Sequence, residues 1–142
     1  SLDIASFIPP NIEELSNTLQ DLELLINEPQ VEMDPLVRAA LVHYQFETAH
    51  PFLDGNGRLG RLLITLMLIN DGVLHSCLFY PSFQFKKNRS EYYRQLTSVR
   101  ERGTYEEWIE FFCASLLESA KDSVGSLKSL VDLHNRSTAA IT

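Results

Sequence analysis

The sequence of 142 residues has the length of one domain, and its 44% of hydrophobic residues can form a buried core. Its 22% of charged residues exclude a compositionally disordered chain, and a formal net charge of −7 argues against nucleic-acid binding by the whole domain. We see no secretory leader, no apolar run long enough to cross a bilayer, and no metal-binding spacing of Cys77 and Cys113. We therefore expect a single cytoplasmic domain over residues 1–142, without a membrane or nucleic-acid partner.

Two helices are predicted in the first third of the chain. Asn11 is a good N-cap, and the apolar residues after it recur at the three- and four-residue spacing of a helix. These residues are Ile12, Leu15, Leu19, Leu22 and Ile26. Asp34 followed by Pro35 predicts the start of a second helix, which runs to about His50 because Pro51 stops it.

The middle of the chain gives one clear helix and one mixed segment. A tight loop over 52–56 leads into a third helix, predicted from near Gly57 to the turn signal at 70–72. Residues 73–88 combine apolar and basic residues with Pro81, and we interpret part of this segment as extended.

The last third predicts two more helices. The first runs from Ser90 to Gly103, and a capping box at Thr104 opens a long final helix, in which Gly125 marks a candidate kink. The apolar residues predicted to be buried along it are Trp108, Phe111, Phe112, Leu116, Leu117, Leu127, Leu130 and Val131. The predicted fold is therefore all-α, a bundle of about five or six helices, with a short extended segment or flap strand at the N-terminus.

The residues that carry chemistry concentrate between the second and third predicted helices. Gly55 and Gly57 permit positive φ angles and a close approach of the backbone to an anion, and the helix start presents free N–H groups. Arg58 and Arg61 are three positions apart, so they share one helix face. These residues predict an anion cradle flanked by two guanidinium groups, which suits phosphates better than a single carboxylate.

Asp54 and His50 add two catalytic elements to this cradle. A carboxylate beside phosphates suits Mg²⁺, which prefers few carboxylates together with phosphate oxygens. An imidazole can accept a proton near neutral pH. A cradle, a metal ligand and a base together predict phosphoryl or nucleotidyl transfer.

The segment 50–61 also resembles the core motif of the Fic domain family, His-Pro-Phe-x-[Asp/Glu]-Gly-Asn-Gly-Arg-x-x-Arg, at every fixed position. The resemblance extends to residues 7–10, 39–47, 89–96 and 108–112. It implies a protein adenylyltransferase that transfers AMP from ATP, with Mg²⁺, to the Ser, Thr or Tyr hydroxyl of a target protein. The alternatives are a Fic-fold phosphotransferase or other nucleotidyltransferase, and a nucleotide-binding interaction module without catalysis.

The resemblance also implies roles for individual residues. His50 would deprotonate the target hydroxyl, which attacks the α-phosphate while pyrophosphate leaves, and Asp54 would hold Mg²⁺. Asn56 and Gly57 would form the anion hole, with Gly55 shaping the turn. Arg58 and Arg61 would grip the β- and γ-phosphates. Phe52 is interpreted as a core residue that anchors the loop.

The adenine pocket has three candidates, Asn88, Tyr92 and Tyr93, because a purine needs a flat apolar wall and an amide that reads its edge. The competing interpretation is that one tyrosine is a core residue and that Asn88 only caps a helix. A separate metal site at His43, Glu47 and His50 is disfavoured, because the two histidines would lie about 10 Å apart along a regular helix. His43 is interpreted as a packing residue.

Regulation and assembly are implied only in outline. Many Fic proteins carry an inhibitory helix with the motif [Ser/Thr]-x-x-x-Glu-[Gly/Asn], whose glutamate pairs with the second arginine of the core motif, here Arg61. The most similar string, at 97–102, does not match its last position. We expect the chain to be part of a longer protein, with the inhibitor in a preceding segment or a separate partner. A homodimer is a candidate state.

Overall fold

A computed structural model describes residues 11–27, 32–76 and 79–141. Every regular element in these ranges is a helix. The helices are α1 (Ile12–Asn27), α2 (Pro35–Ala49), α3 (Asn56–Asn70), α4 (Ser82–Lys87), α5 (Arg89–Arg102) and α6 (Tyr105–Ile141). The predicted all-α fold is confirmed, whereas the predicted extended segment or flap strand at 1–10 lies outside the described residues.

The helices fall into two compact units, Ser1–His75 and Ser76–Thr142. In the first unit, α1, α2 and α3 each contribute one buried residue to a shared apolar cluster: Leu22, Val42 and Met67. The partly buried residues around this cluster are Leu19, Leu25, Ile26, Phe46 and Leu63. The three- and four-residue spacing that predicted α1 therefore corresponds to a real buried face.

The N-termini of α1 and α2 are capped by the residues that the sequence indicates. The Asn11 side chain accepts a hydrogen bond from the Glu14 N–H at 2.9 Å, and the Glu14 carboxylate accepts one from the Asn11 N–H at 3.3 Å. Asp34 accepts from the N–H groups of Leu36 and Val37, with Pro35 in the first turn. Both starts satisfy backbone donors that a helix leaves without an internal partner.

A buried ion pair ties α2 to the far end of α3. Arg38, near the start of α2, pairs with Asp71, which caps the C-terminus of α3, and each side chain is only 10% exposed. Arg38 also donates to the carbonyl of Ile26 in the last turn of α1 at 3.4 Å. The pair joins α2 and α3 at the end of the hairpin opposite the connecting loop.

Aromatic rings form the core of the second unit. Phe85 of α4 lies 5.3 Å from Tyr92 of α5 and 5.8 Å from Phe112 of α6, measured between ring centroids. Trp108 contacts Tyr92 at 6.0 Å and Phe112 at 5.7 Å. All four residues are at least nine-tenths buried, so one residue of α4 joins α5 and α6 into a single core.

Two sequence predictions are wrong in this unit. Residues 82–87 are helical rather than extended, with Gln84 and Phe85 buried and Gln84 donating to Asp122 of α6 at 2.7 Å. The burial predicted along the final helix is wrong at Leu117, and no residue after Ser119 is buried in the described part of α6. Leu117, Leu127, Leu130 and Val131 are between 43% and 61% exposed, and the helix continues through Gly125 without interruption.

None of the described helices combines the length and the apolar character needed to cross a membrane.

Candidate functional site

His50 ends α2 in a left-handed backbone conformation. Its φ is 46° and its ψ is 54°, and its N–H still donates to the Phe46 carbonyl at 3.0 Å. Pro51 disfavours the right-handed helical region for the residue before it, and histidine is among the residues that tolerate the left-handed region best. His50 has the only non-glycine positive φ among the described residues, so the chain turns sharply at the predicted base.

The side chain of Asn56 holds the loop that follows. Asn56 is 2% exposed; its amide oxygen accepts from the Phe52 N–H at 2.9 Å, and its amide nitrogen donates to the Phe52 carbonyl. Both ends of one side chain therefore fix a single backbone position. The Phe52 ring is 50% exposed, with its centroid 6.5 Å from that of Phe46, so the interpretation of Phe52 as a core anchor is wrong. Asn56 anchors the loop instead.

The start of α3 lacks a side-chain cap. Gly55 occupies the N-cap position with a φ of 87°, a conformation that glycine adopts without strain. The N–H groups of the first turn, beginning with Asn56 and Gly57, have no acceptor within the helix, and the helix dipole adds a partial positive charge there. This helix start has the properties of an anion site, to which Asn56 would contribute its backbone N–H because its side chain holds the loop.

Asp54 and Arg58 lie in the open at this helix start. Asp54 accepts from the Gly55 N–H at 2.6 Å, and its other carboxylate oxygen lies 3.3 Å from the Arg58 guanidinium. Their side chains are 92% and 76% exposed, so this ion pair contributes little stability and both groups can turn to a ligand. A single exposed carboxylate fits the ligand set that Mg²⁺ uses with phosphate oxygens, and the described residues contain no cluster of three or more His, Cys, Asp or Glu side chains that would bind a metal alone.

Arg61 lies over the first turn of the same helix. A β-carbon added to Gly57 would be 3.0 Å from Nη1 of Arg61, so the guanidinium occupies the space that a side chain at Gly57 would take. A β-carbon on Gly55 would be 3.6 Å from Nη2 of Arg58. The structure therefore brings both arginines against the two glycines of the predicted cradle.

Gly60 brings α3 into close contact with α2, although the sequence analysis gave it no role. A β-carbon at Gly60 would lie 2.7 Å from Oε1 of Glu47, 3.1 Å from Cδ1 of Phe46 and 3.2 Å from Cε1 of His43. Glycine in a helix interior costs about 1 kcal/mol relative to alanine. That cost was the available signal that this position needs close packing.

We expect Gly60→Ala to lower the free energy of unfolding by about 1–3 kcal/mol, because the Phe46 and His43 rings leave no space for a methyl group. Gly125→Ala is the matched control. An added β-carbon there meets nothing within 4 Å, so helix propensity should raise stability by about 0.5–1 kcal/mol. Urea unfolding of both variants measures the difference, and equal effects at the two sites would contradict the packing at Gly60.

His43 packs against α3 at Gly60. Its side chain is 1% exposed, and burial lowers its pKa to about 3. A hydrogen bond with the Gly60 backbone opposes this lowering of the pKa, and the positive charge of Arg61 adds to it. His43 is therefore a neutral imidazole at physiological pH, in contact with α3 immediately before Arg61.

A depressed histidine pKa has a defined effect on stability. Below about pH 6.5 the unfolded chain binds a proton at His43, whereas the folded chain does so only near pH 3. The unfolding free energy should therefore be retained above pH 6.5 and fall toward pH 3 by about 1.4 kcal/mol per unit from this residue. Between about pH 7.5 and about pH 5, wild type should lose about 2 kcal/mol more than His43→Gln in urea unfolding. Equal losses would show that His43 titrates normally.

The adenine candidates lie in the second unit, at the start of α5, whereas the loop belongs to the first unit. Asn88 is exposed at the N-cap position of α5 without a side-chain capping bond. Tyr92 is 4% exposed and belongs to the aromatic core. Tyr93 is 52% exposed, lies edge-on to Tyr92 and carries the Arg89 guanidinium 5.6 Å from its ring centroid. Within this group, Asn88 and Tyr93 are accessible to a ligand.

Comparison with known proteins gives a consistent set of relatives. A family model described as Fic/DOC family matches residues 2–68. The chain is 31% identical to protein adenylyltransferase fic-1 of Caenorhabditis elegans over 130 residues, which are 91% of this chain and 24% of that protein. It is 34% identical to protein adenylyltransferase Fic of Drosophila ananassae over 109 residues, 76% of this chain and 20% of that protein. The chain thus spans a quarter or less of the length of these curated relatives.

Solved structures show the same similarity. A Fic family protein from Desulfovibrio desulfuricans G20 superimposes with a TM-score of 0.72 at 31% identity, covering 83% of this chain and 35% of that chain. Fic-1 from C. elegans superimposes with a TM-score of 0.64 at 31% identity, covering 87% of this chain and 34% of that chain.

Proposed function

This chain belongs to the Fic/DOC family, and we propose that it transfers AMP from ATP to the hydroxyl of a serine, threonine or tyrosine on a target protein. The printed names of its curated relatives, protein adenylyltransferase fic-1 and Fic, support the choice of AMP transfer. We further propose that residues 1–142 act as one Fic-type domain within a longer protein.

The observation that carries the proposal is the junction between α2 and α3. A histidine in a left-handed turn ends one helix, and a loop held by Asn56 leads directly into an uncapped helix start. Arg58 and Arg61 lie against the glycines of that start. A base, backbone donors and two guanidinium groups along this one junction match what phosphate-ester chemistry requires.

The proposed reaction balances at this site. The target oxygen attacks the α-phosphorus of ATP, the bond from that phosphorus to the α,β-bridging oxygen breaks, and pyrophosphate leaves with the bonding electrons. The imidazole of His50 takes the hydroxyl proton. The N–H groups of Asn56 and Gly57 stabilise the charge on the phosphoryl oxygens, and Gly55 shapes the turn that presents them. Arg58 and Arg61 hold the β- and γ-phosphates.

Asp54 is the proposed ligand for Mg²⁺. Bound there, the ion would neutralise charge on the phosphates and help pyrophosphate to leave. Support comes from the exposure of the carboxylate and from the Gly55 N–H, which fixes one of its oxygens.

For the nucleotide base, we propose that Tyr93 provides the flat surface and Asn88 the polar edge. Tyr92 would support Tyr93 from the core, because the two rings contact each other edge to face. The Arg89 guanidinium over Tyr93 occupies one approach to its ring, so adenine stacking would require Arg89 to move or would use the other side.

Partners beyond ATP and the target are also proposals. An inhibitory helix, from a preceding segment or a separate protein, would act by pairing a glutamate with Arg61 and displacing the γ-phosphate. We also propose that the protein forms a homodimer and is located in the cytoplasm.

Labelled ATP tests the function. The chain, or the longest available parent protein, is incubated with Mg²⁺, cell lysate and ATP labelled at the α-phosphate, beside a His50→Asn variant. Label on protein with wild type alone supports AMP transfer. Transfer of the γ-label instead would replace the proposal with phosphate transfer. ATP binding without transfer of either label would favour a binding module.

A further inference from the structure

We propose that His43 is a positioning residue for the phosphate site: its buried imidazole holds α3 at Gly60 and thereby fixes the adjacent Arg61. The inference rests on the proposed function in one respect, that Arg61 binds phosphate. His43 itself does not touch the nucleotide in this scheme. It acts from α2 through the backbone of α3.

Helices α2 and α3 are in close contact at Gly60. Gly60 has no side chain, and the space where its β-carbon would lie is lined by Cε1 of His43 and by Oε1 of Glu47. The imidazole is therefore packed on the backbone of α3 itself and not on a side chain that can turn away. Movement of His43 would move the α3 backbone with it.

The contact between His43 and Gly60 is polar. The hydrogen bond between His43 and the Gly60 backbone favours the protonated ring, so the imidazole donates and the carbonyl accepts. A donor at this position fixes α3 in rotation as well as distance. An apolar residue of similar size would fill the space without that directional bond.

The contact at Gly60 is linked to Arg61 through the α3 backbone. Arg61 follows Gly60 directly in the chain, so a shift of the α3 backbone at Gly60 would move Arg61 as well. Its positive charge adds to the lowering of the His43 pKa. Its guanidinium lies over Gly57, in the first turn of α3. The neutral imidazole of His43 supports α3 without repelling the Arg61 guanidinium. A cationic side chain in the same place would repel it.

The test compares His43→Leu, which removes the donor, with His43→Gln, which keeps an N–H group. His134→Leu is the matched control, because it removes an exposed imidazole from α6. We expect the affinity for Mg²⁺–ATP, measured by calorimetry, to fall roughly tenfold in His43→Leu. It should stay within about threefold of wild type in His43→Gln and be unchanged in His134→Leu. His43→Met, which fills the space without a strong donor, replaces His43→Leu if that variant does not fold.

Coupling to Arg61 separates positioning from packing. In an Arg61→Ala background, His43→Leu should cause no further loss of ATP affinity, since its effect passes through the missing guanidinium. The Arg61 side-chain N–H resonance in a ¹⁵N-labelled protein should shift in His43→Leu and remain near its original position in His43→Gln. The proposal would be overturned if the losses of ATP affinity in His43→Leu and Arg61→Ala were fully additive. It would also be overturned if His43→Leu folded and left both the ATP affinity and the Arg61 resonance unchanged.

The two readouts also separate this inference from the proposed function. If the wild-type protein binds ATP but transfers no AMP, the affinities still decide the role of His43. If the wild-type protein binds no ATP, the proposed phosphate site is wrong. The Arg61 resonance in His43→Leu then decides the positioning role alone: a shift supports it, and an unchanged resonance overturns it.

Discussion

Replacing His50 by asparagine is expected to reduce AMP transfer by about 10²- to 10⁴-fold, the range associated with loss of a general base. Asparagine is chosen because it accepts the left-handed conformation of His50, whereas alanine would add strain to the turn. The affinity for ATP should stay within about twofold of wild type, since the phosphate ligands lie beyond the turn.

Rates of label transfer and calorimetric ATP affinities measure the two effects separately. His75→Asn is the matched control, because His75 is exposed in the same unit and outside the proposed site. If His50→Asn folds but loses ATP binding to the same extent as transfer, His50 shapes the site and is not its base. Undiminished transfer would remove His50 from the mechanism.

Arg61→Ala should have the largest effect on nucleotide affinity. Loss of a charge-assisted contact with phosphate costs about 2–3 kcal/mol, or roughly 30- to 150-fold in ATP affinity. Arg61→Lys keeps the charge but loses the planar fork, so it should fall between alanine and wild type. The loss should be smaller for AMP than for ATP, because the proposed contacts involve the β- and γ-phosphates.

Arg136→Ala, an exposed arginine on α6, serves as the control and should bind ATP like wild type. Equal losses of AMP and ATP affinity in Arg61→Ala would place the guanidinium on a different part of the nucleotide. Unchanged ATP affinity would remove Arg61 from the phosphate site, and with it the coupling expected for His43.

Local signals made much of the first unit predictable. Asn11 and Asp34 cap helices by contacts with residues two or three positions away, so the cap and its target are both visible in the sequence. The glycines of the cradle and the proline after His50 are also local signals. The chain turns at His50 and at Gly55, as these signals indicate, whereas Gly57 already lies within α3.

Contacts between distant segments could not be predicted in this way. The short helix α4 has only six residues, too few to show helical periodicity, and Gln84 contacts Asp122 far along the chain. Leu127 and Leu130 continue the apolar pattern of α6, yet they are exposed, because periodicity indicates a face and not whether another element covers it.

The candidate site also combines features that local signals predict with contacts that they do not. Arg58 and Arg61 were placed on one face of α3 from their spacing alone. The exposure of Phe52 and the anchoring role of Asn56 depend on a side chain that folds back on the loop. The contact of His43 with Gly60 depends on how closely two helices pack, which a single sequence does not reveal.

The central claim is that the first turn of α3 binds the phosphates of ATP, and its most direct test is a titration of ¹⁵N-labelled protein with Mg²⁺–ATP. The amide resonances of Gly55 and Gly57 should shift progressively with ATP. Gly72, at the other end of a helix of 15 residues and roughly 22 Å away, serves as the internal control and should remain unchanged. Shifts at Gly55 and Gly57 that ATP produces and adenosine does not would agree with this account. Saturable ATP binding that leaves both glycines unmoved would contradict it.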